Sequence, residues 1–141
     1  MGAVEFRTLG RDDDGMLELQ VTVEGNGHLG THRAFLYPED LNAFGAVLQS
    51  YPLSESREAV LEAGSLDPTW YGYLRLRVFL LAGFHRSALE VQYETRGQLP
   101  DCANVTFYVP GETVSFSRLG EEICEFASVD GQVLRNEWRD D

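Results

Sequence analysis

Between Leu17 and Glu24 apolar and polar residues alternate without interruption, with Leu17, Leu19, Val21 and Val23 set against Glu18, Gln20, Thr22 and Glu24. Successive side chains on a strand point to opposite faces, so a period of two places one face in a core and the other in water. Such one-sided strands belong to antiparallel sheets, because parallel strands are covered on both faces and read as continuous apolar runs. The alternation returns in Leu74, Leu76, Val78 and Leu80 against Tyr71, Tyr73, Arg75, Arg77 and Phe79, and again in Leu89, Val91 and Tyr93 against Glu90, Gln92 and Glu94. A turn centred on Gly83 and Phe84 makes these segments a hairpin with Arg77 opposite Glu90, Arg75 opposite Gln92 and Leu76 opposite Val91. A two-residue slip puts Arg75 opposite Glu94 instead. Either register pairs opposite charges outside and apolar groups inside.

The remaining elements follow from local signals. AVEFRTL (3–9) reads as a strand with Val4 and Phe6 inward, ended by the Gly10–Gly15 loop, and Gly25-Asn26-Gly27 turns the chain after Glu24. Residues 28–37 are extended but poorly sided. Pro38 followed by Glu39 and Asp40 opens a helix carrying Leu41, Phe44, Val47, Leu48 and Tyr51, which Pro52 ends. EAVLEA (58–63) is ambiguous between strand and helical turn and is read as a strand. Asn104–Val109 is a further strand, with Val105, Phe107 and Val109 inward, broken by Pro110-Gly111. Val114, Phe116, Leu119, Ile123 and Phe126 then form a helical stripe closed by Asp130-Gly131. The predicted fold is α+β: a mostly antiparallel sheet of about six or seven strands with two helices, about 38–50 and 113–128, packed on one face. The other face is left to water. The chain reads as a single domain over 1–141, with about 130–141 a polar, loosely attached tail.

Charge narrows the partners. The 141 residues include 23 acids and 11 bases, every base an arginine, for a net charge of −12. That field repels phosphate, which excludes general nucleic-acid binding and favours a basic protein partner. The longest apolar run, Val78–Phe84, has seven residues, against the roughly 20 that a membrane span needs. Glu5 and Arg7 interrupt any secretory apolar segment, and position 6 is Phe where a myristoylation signal needs Ser or Thr. Cys102 and Cys124 lie in dissimilar contexts and read as reduced thiols of a cytoplasmic protein.

No catalytic, cofactor or metal constellation emerges. His28 and His32 share a strand face but lack the further ligands zinc requires. Asp12-Asp13-Asp14-Gly15 starts like a calcium loop without its closing Glu. Cys102, Cys124, the serines and His85 stand outside any nucleophile motif. Gly25-Asn26-Gly27-His28-Leu29-Gly30 has dinucleotide-loop spacing but leads into an extended segment. What remains is surface. Trp70, Tyr71, Tyr73, Arg75, Arg77, Glu90, Gln92 and Glu94 combine the residue types that dominate interface energetics; the plainer reading is a solvated sheet face whose Arg and Glu pair across strands. Glu121, Glu122 and Glu125 outside the second helix form a secondary acidic patch, for which a solvated face is again the plainer reading.

The succession LELQVTVEGNG, an extended segment into PEDLNAFGAVL, then LRLRVFL with its hairpin mate and the closing RLGEEICEFA resembles small bacterial proteins of unknown function. Some of these are grouped with the WapI-type immunity proteins of polymorphic toxin systems. The resemblance spans about residues 16–127 by element order; the N-terminal strand and the Asp67–Tyr73 turn fall outside it. It implies a cytoplasmic, non-catalytic α+β protein that binds another protein, and it carries over no binding residue. The leading expectation is therefore a non-catalytic acidic binding module, an immunity protein neutralising a basic toxin such as a nuclease. Its alternative is a small-molecule or carbohydrate binder using Trp70, Tyr71 and Tyr73; an enzyme stands third. A homodimer through the open face is compatible with each.

Overall fold

The computed structural model describes residues 1–50, 58–67, 71–81, 83, 85–128 and 133–139. Its elements are β1 (Gly2–Arg11), β2 (Leu17–Gly25), β3 (His28–Leu36), α1 (Pro38–Ser50), β4 (Glu58–Gly64), β5 (Gly72–Leu80), β6 (Arg86–Thr95), β7 (Ala103–Glu112), α2 (Thr113–Ser128) and β8 (Val133–Trp138). The class is α+β as the patterning predicts, and both helices fall where expected. Tyr51, Trp70 and the Asp130–Gly131 cap lie outside the described residues.

The strands divide differently from the expectation of one sheet. Two four-stranded antiparallel sheets form, in the orders β3-β2-β1-β8 and β4-β5-β6-β7. Hairpin connections keep β1 to β3 together and β4 to β7 together, whereas α1 intervenes between β3 and β4 and starts a new sheet. The polar sides of 17–24 and 73–94 therefore lie on two separate outer faces.

The tail is a strand. β8 adds to β1 with Phe6 opposite Leu134, Val4 opposite Asn136 and Gly2 opposite Trp138. Leu134, Asn136 and Trp138 alternate inward, and Asn136 hid that pattern by being polar; its Nδ2 donates to Glu122 Oε2 on α2 at 2.6 Å. Trp138 is 4% exposed, packs at a tilt against Phe116 with ring centroids 5.1 Å apart and donates its Nε1 proton to the Pro110 carbonyl at 3.0 Å. β7 also runs through Pro110-Gly111 to Glu112, where a break was expected. It is an edge strand, where an absent N–H need not cost a ladder bond.

The two inner faces and both helices share one apolar cluster, in which Phe6, Leu19, Leu41, Leu48, Leu76 and Phe116 are almost fully buried. Each such side chain contributes about 1.5–3 kcal/mol of transfer free energy. Along one side the sheets meet directly. A Cβ on Gly30 of β3 would sit 2.8 Å from Phe107 and 2.9 Å from Tyr93, so only glycine permits this approach. On either side of Gly30, His28 stacks on Phe107 at 5.2 Å and His32 on Tyr93 at 5.3 Å. The inward residues of β3 are Gly30, His32, Ala34 and Leu36; a glycine and a histidine among four positions explain why the segment looks poorly sided in sequence.

α1 and α2 pack against each other where Gly45 faces Gly120. A Cβ on Gly120 would lie 2.5 Å from Leu48 Cβ and 2.6 Å from the Gly45 carbonyl oxygen. α1 buries Leu41, Phe44, Gly45 and Leu48, and α2 buries Phe116, Leu119, Ile123 and Phe126. Val47 and Val114, expected in these stripes, are exposed. Thr113 takes the inward place at the start of α2, its hydroxyl 2.8 Å from that of Ser87.

Candidate functional site

The outer face of the second sheet is a grid fixed by register. Crossing β4, β5, β6 and β7, one row holds Glu58, Phe79, Ala88 and Pro110; the next Val60, Arg77, Glu90 and Tyr108; the next Glu62, Arg75, Gln92 and Thr106; the last Gly64, Tyr73, Glu94 and Asn104. Arg77 thus stands opposite Glu90 and Arg75 opposite Gln92, the first of the two registers read from the hairpin.

Glu90 is the hub. Its Oε1 accepts from Arg75 Nη1 at 2.9 Å and Arg77 Nε at 3.2 Å, and its Oε2 from Arg77 Nη2 at 3.3 Å and the Tyr108 hydroxyl at 2.9 Å. Those donors roof the carboxylate, so Glu90 is only 7% exposed although it lies on an outer face. Burial alone pushes its pKa up. The hydrogen bonds from Arg77 and Tyr108 and the two guanidinium charges outweigh burial and hold it below the usual carboxylate value.

Arg77 also donates Nη1 to Glu58 Oε2 at 3.0 Å and lies 4.3 Å over the Phe79 ring. Hydrogen bonds to Glu90, then Glu58, raise its pKa further. Tyr73 donates to Glu62 Oε2 at 2.9 Å. Burial, then that bond and the Glu62 charge, pushes its phenol up to about 12. Arg96 reaches Glu94 Oε2 at 2.8 Å and the Ser65 carbonyl at 2.8 Å. The face is therefore a preorganised lattice of paired charge. Four carboxylates, those of Glu58, Glu62, Glu90 and Glu94, outnumber Arg75 and Arg77 within the grid. Tyr108 (44% exposed) and Val60 (37%) offer apolar contact beside them.

Of the residues singled out in sequence, Tyr73, Arg75, Arg77, Glu90, Gln92 and Glu94 share this face. Tyr73, however, is 5% exposed and contributes little free surface. Tyr71 leaves the group. It lies just before β5 and reaches the first sheet, packing edge-on to Phe35 at 4.7 Å. Trp70 lies outside the described residues. Glu58, Glu62 and Tyr108 complete the grid and were missed, because their positions depend on the β4–β5 and β6–β7 registers, which no short turn in the sequence fixes. Within the acidic patch Glu121 and Glu125 are exposed, but Glu122 is bound to Asn136 and fastens α2 to β8.

A cleft of 440 Å³ opens beside β3, lined by Gln20, Thr31, His32, Arg33, Phe35, Tyr71 and Thr95. His32 Nδ1 is 3.2 Å from the Thr95 hydroxyl, while its buried Nε2 has no hydrogen-bond partner; burial lowers its pKa. Among the described residues no three His, Cys, Asp or Glu side chains are arranged to hold a metal ion. Among the described residues no helix is long and apolar enough to cross a membrane.

The architecture is that of an α+β protein with two antiparallel sheets, whose chemistry is surface charge pairing. No protein-family model matches the sequence, and no curated protein matches it. Among solved structures the fold is similar to that of a chain in the CdiA-CT/CdiI toxin and immunity complex from Enterobacter cloacae. The TM-score is 0.50 at 10% sequence identity, over 85% of this chain and 97% of that one. At this identity the likeness is one of fold.

Proposed function

We propose that this chain is a non-catalytic, acidic protein-binding protein of the cytoplasm, of the immunity kind, that neutralises a basic toxin by covering it. The observation that carries the reading is the outer face of the second sheet, where the Glu90 lattice holds Arg75, Arg77 and Tyr108 in fixed positions. A surface whose charges are already oriented loses little conformational freedom on docking. The net charge of −12 favours a basic partner by steering its approach, which raises association rate more than affinity. The shared fold with a chain of a toxin and immunity complex supports the same reading.

Co-expression with the product of a neighbouring toxin gene tests it. The chain restores growth, and the purified proteins associate at a rate that falls as salt is raised. Tyr108→Ala combined with Arg77→Ala weakens protection. Undiminished protection by that variant moves the site elsewhere, and the absence of any basic partner, in the gene neighbourhood and in the native cytoplasm, ends the reading. Sedimentation of Arg75→Ala and Tyr108→Ala beside the parent chain tests self-association through the same face.

A second reading, a small-molecule or carbohydrate binder, has the β3 cleft in its favour, since Phe35 and Tyr71 offer aromatic faces near Gln20, Thr31 and Arg33. Oligosaccharide titration that perturbs Tyr71 and Phe35 supports it; the absence of any perturbation removes it.

A further inference from the structure

Two four-stranded open sheets have four edge strands, and an edge presents backbone N–H and C=O groups that no neighbouring strand receives. Three of these edges are short or blunted. Asn26 Nδ2 donates to the Tyr108 carbonyl at 3.1 Å and Trp138 Nε1 to the Pro110 carbonyl at 3.0 Å, which caps two outward carbonyls of the β7 edge beside the proline. β4 has seven residues and carries Glu58 and Glu62; β8 has six and carries Arg135 and Glu137. β3 differs, with nine residues, no proline and no acid.

The hydroxyl of Tyr71 shows which way the β3 backbone points. It accepts from the Phe35 N–H at 3.1 Å and donates to the Phe35 carbonyl at 3.3 Å, standing in for both groups of an adjacent strand residue. In an antiparallel ladder, residues two apart turn their backbone groups the same way. Those of Arg33 and Thr31 therefore point outward beside Phe35, where no strand among the described residues is paired with them. The 440 Å³ cleft lies at this stretch, and Thr31, Arg33 and Phe35 of β3 line it together with Gln20, His32, Tyr71 and Thr95.

We propose that the outer edge of β3 is a strand-addition site, at which an extended segment of a basic polypeptide pairs with Thr31 and Arg33 beside the position that Tyr71 already fills. Main-chain hydrogen bonds supply the attachment, and Phe35 and Tyr71 receive an apolar side chain at alternate positions. The net charge selects the occupant: at −12 the chain repels an acidic segment or a second copy of itself and attracts a basic one, while Arg33, the one formally charged residue among the described residues lining the cleft, is already paired with Glu18. The inference rests on the protein-binding reading and gives it a binding mode.

The test titrates the full chain with a short synthetic peptide alternating arginine and valine, beside one alternating aspartate and valine, and follows backbone amides by NMR. The basic peptide shifts the Thr31 and Arg33 amides and slows their hydrogen exchange. Thr31→Pro removes an outward N–H that no strand uses, leaves the remaining spectrum folded, and weakens binding by about tenfold. Tyr71→Phe vacates the Phe35 groups and tightens binding, a readout that survives should Thr31→Pro fail to fold. Shifts confined to the Glu90 face overturn strand addition while leaving the protein-binding reading intact. So do equal binding of the acidic peptide, indifference to Tyr71→Phe, or a doubled mass on concentration. A chain that fails to bind any basic polypeptide, its toxin candidate included, loses both.

Discussion

The Tyr108 hydroxyl lies 2.9 Å from Glu90 Oε2 across the β6–β7 pair, supplying a neutral donor to a carboxylate already held by Arg75 and Arg77. Glu90→Gln keeps the shape and removes the charge, leaving both guanidiniums without their shared counter-ion. The expected loss is about 1–3 kcal/mol in denaturant unfolding, below that of a fully buried pair because Arg75 and Arg77 keep 29% and 25% of their side-chain surface. The folded pKa of Glu90 is depressed, so its contribution is present above the ordinary carboxylate value and disappears as pH falls through the folded one. The variant's acid unfolding profile should be flatter than the parent's.

His32 acts in a different window. Its pKa lies below the ordinary 6.5 because burial disfavours the imidazolium, so the unfolded chain takes up the proton first. Stability is complete above about pH 6.5 and falls as pH drops toward the folded value. His32→Phe retains a ring against Tyr93 and has no proton to bind. Its stability difference between neutral and mildly acidic solution should shrink relative to the parent, as read by chemical denaturation at each pH.

Gly120→Ala opposes two effects. Helix propensity favours alanine by about 1 kcal/mol, but the new Cβ would fall 2.5 Å from Leu48 Cβ and 2.6 Å from a backbone oxygen, which forces the helices apart. Overpacking costs about 1–3 kcal/mol, so net destabilisation is expected in denaturant unfolding. A stabilised variant would show that α1 yields freely.

Trp138→Ala removes a buried ring, its contact with Phe116 and the hydrogen bond to Pro110. A loss of about 3–5 kcal/mol is expected, together with faster amide exchange along β8. An unaffected stability would mean that the terminal strand is dispensable.

The period of two exposed β2, β5 and β6 in the sequence, and the short connection after Leu80 left two registers, of which the structure has the one with Arg77 against Glu90. Legibility stopped where pairing is not made by a short turn. Nothing local in Val133–Trp138 indicates that β1 is its partner, and a polar Asn136 breaks the alternation that would mark it as a strand. Tyr71 shares the parity of Tyr73, but β5 begins only at Gly72, so its ring is free to turn toward Phe35. The separation into two sheets was likewise hidden, because periodicity reports which side of a strand is wet and not which strands share a ladder.

The pairing of β8 with β1 also bears on how the chain reaches this fold. Gly2 lies beside Trp138, so β1 acquires this neighbour only when nearly the whole described chain is available. The β2–β3 and β5–β6 hairpins close over short loops, whereas this ladder closes over the longest separation in the sequence. Loop-closure entropy makes such a contact a slow one. Until it forms, one side of β1 is an open, apolar-flanked template, and premature association with another nascent chain would begin there.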